Sequence, residues 1–196
     1  MTSQVYTQLK QQLREQTRNQ RQQLSVAELE VADRQLAAQC QSLNLQQHQK
    51  IAVYLQHDNE IGTRHIIEWL FAEGCELYLP RLFADGSNQL QFCHYHSDSE
   101  MKNNRFGIAE PLSDKVIAAN KLDLIFLPLT AFDLLGNRIG MGGGFYDRTL
   151  ENIANNKTVL AGLAYDFQQL PECPVEPFDQ SLNMILTPTR VIDFSD

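Results

Sequence analysis

Short apolar runs alternate with segments of helical periodicity, and this alternation constrains the fold most. Runs such as KIAVYLQ and LDLIFLP are typical of strands buried on both faces. Between two of them, apolar residues recur at helical spacing until Gly74. The pattern predicts an α/β fold with an open, mostly parallel, Rossmann-like layered sheet flanked by helices. We expect one domain over residues 1–196, with strands at 50–56, 75–80, 90–96, 122–128, 158–165 and 183–188.

The first 43 residues predict a pair of helices that precedes this alternation. Val5, Leu9 and Leu13 recur every four residues, which favours a helix over 3–24. The stretch SVAE at 25–28 is a capping box and predicts a second helix to about residue 43. A neighbouring stripe of the first helix is basic, and its spacing alone indicates a solvent-exposed face. Its members are Lys10, Arg14, Arg18 and Arg21.

The charge and hydropathy exclude several classes of protein. The net charge is −8, opposite to the balance of a general nucleic-acid binder. No run of about 18 apolar residues exists, and the first residues lack an apolar signal core, so we expect a cytoplasmic protein without a membrane partner. We also expect a monomer. An acidic protein that binds anions needs locally gathered cations, backbone N–H groups or a metal.

The stretch NRIGMGGGFYDRTL at 137–150 places four of the ten glycines within residues 140–144. A dinucleotide fingerprint fails at Phe145, and a phosphate loop of the Walker type lacks its Gly-Lys-Ser/Thr. A plain turn remains open, because glycine also serves backbone dihedrals alone. However, Arg138 and Arg148 bracket the loop, and the helix predicted after it over 145–154 would direct free N–H groups toward an anion. With Asp147 as a candidate Mg²⁺ ligand, the combination favours a nucleotide phosphate chain.

Polar residues follow the other predicted strands as well. Glu60 comes four residues after the strand at 50–56, and Arg81 directly follows the strand at 75–80. The glycine loop begins soon after the strand at 122–128. Ligands of such sheets bind beyond the carboxyl ends of the strands, so these residues are predicted to meet at one edge.

The segment LDLIFLPLTAFDLLGNRIGMGGGFYDRTL closely resembles the signature of the 5-formyltetrahydrofolate cyclo-ligases, also called methenyltetrahydrofolate synthetases. That pattern consists of an apolar strand, Pro, Ala-Phe-Asp, Gly-x-Arg and Gly-x-Gly-x-Gly-[YF]-Tyr-Asp. The similarity continues in KQQLR, YLQHDNEIGT, LYLPR, FGIAEP and EPFDQSLNMILTP, and therefore covers nearly the whole chain.

The resemblance implies an enzyme that uses ATP and Mg²⁺ to close 5-formyltetrahydrofolate to 5,10-methenyltetrahydrofolate, with release of ADP and phosphate. The formyl oxygen would be phosphorylated first. Such chemistry needs positioning and charge neutralisation rather than a protein nucleophile. The alternative is a non-catalytic folate- or nucleotide-binding protein of the same fold.

Site residues are carried over from the resemblance one position at a time. Arg138 and Asp147 are implied to be catalytic, and Asp147 and Asp179 to bind the metal. The implied ATP contacts are Lys10, Arg14, Arg138, Ile139, Gly140, Met141, Gly142, Gly143, Gly144, Phe145 and Tyr146. The implied substrate contacts are Leu55, Glu60, Arg81, Phe145 and Tyr146, with Arg81 a candidate for the glutamate tail. Two positions depart from the family pattern: many relatives carry lysine at Gly143 and tyrosine at Phe145.

Overall fold

The computed structural model describes residues 3–151, 153 and 157–194. Its four α-helices are α1 (Ser3–Gln22), α2 (Val26–Cys40), α3 (Arg64–Ala72) and α4 (Phe145–Leu150). Its first six strands are β1 (Lys50–Ala52), β2 (Glu76–Leu82), β3 (Leu90–Tyr95), β4 (Met101–Asn103), β5 (Ala109–Pro111) and β6 (Val116–Ile117). The other six are β7 (Leu124–Pro128), β8 (Ala131–Phe132), β9 (Arg138–Ile139), β10 (Val159–Leu163), β11 (Met184–Leu186) and β12 (Val191–Asp193).

Eight strands form one mixed sheet in the order β12-β11-β10-β7-β1-β2-β3-β6. The five central strands are parallel, whereas β12 pairs antiparallel with β11, β3 pairs antiparallel with β2, and β6 pairs antiparallel with β3. Counted alone, the parallel strands have the order 2-1-3-4-5, so the direction of winding reverses between β1 and β7. The predicted mostly parallel α/β sheet is confirmed, and its crevice for ligands lies where β1 and β7 end.

The alternating side chains of β7 bury both faces of this sheet. Leu124 and Phe126 belong to the core that packs against α2 and α3. Ile125 and Leu127 belong to the core on the opposite face, together with Leu150 of α4. Each fully buried aliphatic side chain contributes about 1.5–3 kcal/mol, so the ends of β7 are held rigidly. A rigid strand end is what a binding loop needs as a base.

Helix α1 buries a different face from the one that its apolar repeat suggests. Val5 and Leu9 are 44% and 38% exposed, whereas Lys10, Thr17 and Arg21 are only 6%, 5% and 1% exposed. The prediction of a solvated basic stripe is therefore wrong for Lys10 and Arg21, although it holds for the Arg18 side chain, which is 58% exposed. The buried polar groups lie seven or four residues apart and share one face of the helix. Within the described chain, no helix is long and apolar enough to cross a bilayer.

The element boundaries differ from the predictions mostly at strand and helix ends. The capping box is confirmed, because Glu28 N–H donates to Ser25 Oγ and Ser25 N–H donates to Glu28 Oε2. Gly74, with φ of 75°, follows α3 as predicted. Helix α2 ends at Cys40 rather than near 43, and α4 spans six residues. The helix predicted after the glycine loop extended to 154, and residues 152 and 154 lie outside the described residues.

No pattern in the sequence predicted six of the strands, β4, β5, β6, β8, β9 and β12. These strands have two or three residues each, which is too short for an alternating pattern to be visible. The hairpin of β8 and β9 matters most, because Arg138 and Ile139 belong to its second strand and carry the chain into the glycine loop.

Candidate functional site

The two loops that follow β1 and β7 meet where the sheet changes its direction of winding. The loop after β1 contains Glu60, and the segment after β7 contains the β8–β9 hairpin and the glycine loop, residues 140–144. Helix α1 crosses both of them. Its Arg14 contacts the carbonyl of Gly140, and its Arg21 contacts Asp58 and Met141. Most of the predicted site residues are thus brought to one edge of the sheet.

The glycine loop has its carbonyl groups held and its amides free. Arg14 Nε donates to Gly140 O at 2.8 Å, and Arg148 Nη1 donates to Gly143 O at 2.8 Å. Gly142 and Gly144 have φ of 99° and 66°, values that favour glycine. Within the described chain, the N–H groups from Gly140 to Gly144 donate to no other group. The loop therefore presents a row of amides of the kind that binds anions.

Phe145 explains why position 143 carries no side chain. A Cβ on Gly143 would lie 2.5 Å from the Phe145 ring, so the lysine expected from the resemblance does not fit this conformation. The ring also makes an edge contact with Phe106, with centroids 5.9 Å apart. The next residue, Tyr146, has different surroundings. It packs against the core that contains Leu127 and Leu150, and burial raises the pKa of its hydroxyl.

The predicted phosphate and metal residues are paired with one another. Lys10 Nζ lies 2.8 Å from Glu176 Oε2 and 2.7 Å from Asp179 Oδ2. Arg138 Nη2 lies 2.6 Å from Asp147 Oδ1. These ion pairs are partly or largely buried: those of Lys10 connect α1 to the loop at 176–180, and that of Arg138 connects β9 to α4. Lys10 and Arg138 thus neutralise acids that would otherwise repel a polyphosphate.

The two predicted metal ligands lie on facing segments. Gln180 N–H donates to Asp147 Oδ1 at 3.5 Å, which places Asp147 beside the residue that follows Asp179. No group of three or more His, Cys, Asp or Glu side chains suited to a metal is found in the part of the chain described here. Mg²⁺ often takes only one or two carboxylates and completes its shell with phosphate oxygens and water. The pair Asp147 and Asp179 fits that requirement, provided that Arg138 and Lys10 share their carboxylates with the ion.

Glu60 occupies a different environment from the charges around the glycine loop. Its residue is 7% exposed, and its Oε2 accepts a hydrogen bond from His57 N at 3.2 Å. Burial raises the pKa of Glu60 to about 7, and the charge of Arg21 opposes that rise. Tyr165 fixes the backbone here, since its hydroxyl donates to Glu60 O at 3.3 Å. Leu55 lies earlier in the same loop and is half-buried against the core that packs against α2 and α3.

Arg81 has partners of its own. Its Nη1 donates to Pro111 O and Ser113 O at 3.0 Å each. The side-chain oxygen of Gln91, with its amide oriented to suit these neighbours, accepts from Nε and Nη2 at 3.0 and 3.1 Å. Arg81 lines a cavity of about 430 Å³ whose lining includes Lys102 and Glu110 but no residue of the glycine loop. Its predicted contact with a glutamate tail remains a prediction.

Two residues of the site were not predicted for it. Glu176 shares Lys10 with Asp179, and Arg21 lies buried beside Asp58. A helical signal for Arg21 was present, because Lys10, Arg14, Thr17 and Arg21 are spaced by four, three and four residues and fall on one face. Arg18, which lies off that face, blurred the pattern by making the stripe look uniformly basic.

Comparisons with known proteins identify the relatives of this chain. Residues 6–188 match the model of the 5-formyltetrahydrofolate cyclo-ligase family. A 5-formyltetrahydrofolate cyclo-ligase of Haemophilus influenzae is 41% identical over 183 residues, which cover 92% of this chain and 98% of the relative. That of Escherichia coli K12 is 43% identical over 143 residues, 72% of this chain and 79% of the relative. The NMR structure of Aquifex aeolicus 5,10-methenyltetrahydrofolate synthetase superposes with a TM-score of 0.83 at 28% identity, covering 96% of this chain and 94% of that one.

Proposed function

Since this chain belongs to the 5-formyltetrahydrofolate cyclo-ligase family, we propose that it closes 5-formyltetrahydrofolate to 5,10-methenyltetrahydrofolate at the expense of ATP, releasing ADP and phosphate. One observation carries the assignment to this site. The free amides of the glycine loop and the buried carboxyl of Glu60 lie on the two loops that flank the reversal point of the sheet. That position is where open α/β sheets bind their ligands.

The glycine loop is the nucleotide side of the site. Its amides from Gly140 to Gly144 bind phosphate oxygens, and Arg14 adds a charge that no carboxylate within the described chain neutralises by direct contact. Lys10 and Arg138 turn toward the phosphates when these arrive, because a polyphosphate offers more negative oxygens than the carboxylates they now contact. The six-residue helix α4 contributes little dipole, so the support comes from amides and side chains.

Asp147 and Asp179 are the residues that would hold Mg²⁺, with Glu176 close to the second of them. When bound, the ion neutralises charge that develops on the transferring phosphoryl group. The chain itself holds Asp147 in place through Arg138 and holds Asp179 through Lys10. Those contacts preset the two carboxylates for a shared ligand.

Glu60 is the folate side of the site. A carboxylate accepts hydrogen bonds, and the pterin ring and its amino group are donors. The burial of Glu60 strengthens such bonds because little water competes with them. Leu55 offers apolar surface in the same loop, and the Phe145 ring, in edge contact with Phe106, offers an aromatic face at the end of the glycine loop.

The reaction then needs correct placement rather than a protein nucleophile. The formyl oxygen attacks the γ-phosphorus of ATP, a P–O bond forms, and ADP leaves. N10 of the folate next attacks the activated formyl carbon, loses its proton, and phosphate departs with the electrons of the C–O bond. The loop amides, Arg14 and Arg138 hold the phosphates while Glu60 holds the ring, which brings the formyl oxygen and the γ-phosphorus together.

We further propose that residues 1–196 act as one domain and as a monomer. Every residue assigned above comes from a single chain, and one sheet supports both halves of the site. Light scattering of the protein with both substrates measures the mass, and a dimer would contradict this part of the proposal.

The direct test is an absorbance assay for the methenyl product. The purified protein is mixed with 5-formyltetrahydrofolate in the presence and absence of ATP and of Mg²⁺. We expect product only when both are present. Binding of either ligand without product would instead favour a non-catalytic folate- or nucleotide-binding protein, and absence of both binding and product would reject the assignment.

A further inference from the structure

Arg21 is the most unusual polar side chain of the described structure that the proposed reaction does not use. It is 1% exposed. Its Nε and Nη1 are buried without a hydrogen-bond partner in the described chain. Its Nη2 makes only long contacts, 3.5 Å to Asp58 Oδ2 and 3.8 Å to Met141 Sδ. A buried guanidinium with unpaired donors costs free energy, so the site is poised for an acceptor that it does not itself provide.

The charges that face Arg21 do not balance it. Asp58 also pairs with Arg18, whose Nε lies 2.8 Å from the same Oδ2. Glu60, the other acid coupled to Arg21, holds a proton more readily than an exposed carboxyl because burial raises its pKa to about 7. The remaining titratable neighbours of Glu60 and Arg21 are phenols, those of Tyr54, Tyr146 and Tyr165. Arg21 therefore faces a shortage of acceptors rather than a surplus.

Glu60 and Arg21 together offer an acceptor and donors within one buried neighbourhood. Asn59 ties the two elements, since its side-chain amide donates to the Arg21 carbonyl at 3.4 Å. A ring edge that carries N–H next to C=O is complementary to such a pair: the carboxylate accepts from N–H, and the guanidinium donates to the carbonyl oxygen. A ring with an amino group in place of the carbonyl would turn a donor toward the guanidinium.

We infer that Arg21 and Glu60 form a specificity pair for the oxo-pterin edge of the substrate, with Arg21 donating to the ring carbonyl oxygen at C4. The inference rests on the proposed function, which places a reduced folate at Glu60. It adds a second residue to the folate side, one that contributes charge from α1 rather than from the loop after β1. The pair selects 4-oxo over 4-amino rings.

Met141 lies beside the buried guanidinium of Arg21. Its thioether lies 3.8 Å from Arg21 Nη2 and 3.4 Å from Thr130 Oγ1, while the residue as a whole is 47% exposed. Methionine is unbranched and turns easily about three side-chain bonds. We therefore expect an entering ring to displace the Met141 side chain.

The experiment compares two ligands and three proteins. Titration calorimetry without ATP measures binding of 5-formyltetrahydrofolate and of its 4-amino-4-deoxy analogue, so nothing turns over. The proteins are the wild type, Arg21→Met and the control Arg18→Met. The control removes the same charge from the same helix and loses contact with the same Asp58, but at a side chain that is 58% exposed. Thermal unfolding verifies that each variant is folded, and Arg21→Lys replaces Arg21→Met if the latter is not.

We expect the wild type and Arg18→Met to prefer the 4-oxo ligand strongly. In Arg21→Met that preference falls by about tenfold or more, the scale of one hydrogen bond to a charged group, mainly through weaker 4-oxo binding. Arg21→Lys, with fewer donors, restores part of it. An unchanged preference in Arg21→Met, or an equal loss for both ligands, overturns the inference and leaves the proposed function standing. A wild type that binds neither ligand overturns both.

Discussion

The glycine loop and Glu60 lie on two loops that meet at one edge of the sheet, yet their charges are arranged in opposite ways. Around the loop, each acid has a cation: Asp147 contacts Arg138, and Asp179 and Glu176 contact Lys10. Around Glu60, burial raises the pKa of the acid to about 7, so it is only partly ionised near that pH, and Nε and Nη1 of Arg21 have no hydrogen-bond partner within the described chain. The loop region can rest without ligand and exchange its partners when phosphates arrive. The burial of Glu60 and Arg21 costs free energy, and a ring with complementary donors and acceptors reduces that cost.

The largest effect is expected from a substitution of Asp147, which lies just after the glycine loop. Asp147→Asn removes a charge that faces the phosphates and is expected to lower kcat about 100- to 1,000-fold, the scale of one electrostatic stabiliser. The KM for 5-formyltetrahydrofolate, set on the Glu60 side, should change far less. Steady-state kinetics measure both constants.

Asp98→Asn is the matched control, because Asp98 is exposed and follows β3 at the opposite edge of the sheet. It should leave both constants as they are. Near-normal turnover by Asp147→Asn would remove Asp147 from the reaction.

The next prediction concerns the free-energy cost of burying the Glu60 carboxyl when no ligand is bound. Because its pKa is raised from 4.5 to about 7, the folded protein retains a proton that the unfolded chain has released between those pH values. Stability therefore falls as pH rises through this window, and the penalty is complete above it, up to about 3 kcal/mol. Glu60→Gln removes the titration. Urea unfolding at pH 4.5 and 8 should show the variant gaining on the wild type by that amount.

Glu100→Gln, at an exposed position, provides the comparison and should show no such gain. If Glu60→Gln tracks the wild type at every pH, the carboxyl titrates normally and the contrast between the two regions fails.

A smaller effect concerns Lys10. Lys10→Met leaves Glu176 and Asp179 facing the phosphate site without their cation, so the KM for ATP should rise about tenfold, as for one lost charge-assisted hydrogen bond. Lys121→Met, at an exposed lysine of the turn Ala119–Lys121, should have no effect. A rise in the KM for folate in place of that for ATP would assign Lys10 to the other half of the site.

The smallest effect tests whether the backbone conformation of the glycine loop matters for ATP binding. Gly142→Ala places a Cβ at φ of 99° and 3.3 Å from Arg14 Cζ, whereas Gly86→Ala has φ of 76° and open space around it. Both changes should cost about 1–2 kcal/mol of stability through backbone strain. Only Gly142→Ala should also weaken ATP binding, measured by calorimetry. Equal ATP affinity in both variants would mean that the loop shape does not matter.

Much of the fold could be predicted because burial leaves a periodic trace. The six predicted strands are present, and β7 shows why: Leu124 and Phe126 face one core while Ile125 and Leu127 face the other, so the whole run is apolar. The strands of two or three residues left no such trace, and pairing partners far along the chain determine them. Helix α1 shows the limit most clearly, since its buried face is polar.

The candidate site divides in the same way. Residues on the glycine loop and Glu60 could be placed at one edge because each follows the end of a predicted parallel strand. The ion pairs of Lys10 with Glu176 and Asp179 join positions more than 160 residues apart, and no local pattern specifies them. Likewise, the contact of Phe145 with Gly143 and the carbonyl partners of Arg81 depend on side-chain packing.

The central claim is that phosphates bind the glycine-loop amides while the folate ring binds Glu60. A crystal structure with 5-formyltetrahydrofolate and a non-hydrolysable ATP analogue tests it most directly. We predict phosphate oxygens within hydrogen-bond distance of the N–H groups of residues 140–144, and ring N–H donors on the Glu60 carboxylate. A nucleotide bound away from this loop, or a pterin ring that does not contact Glu60, would contradict the account.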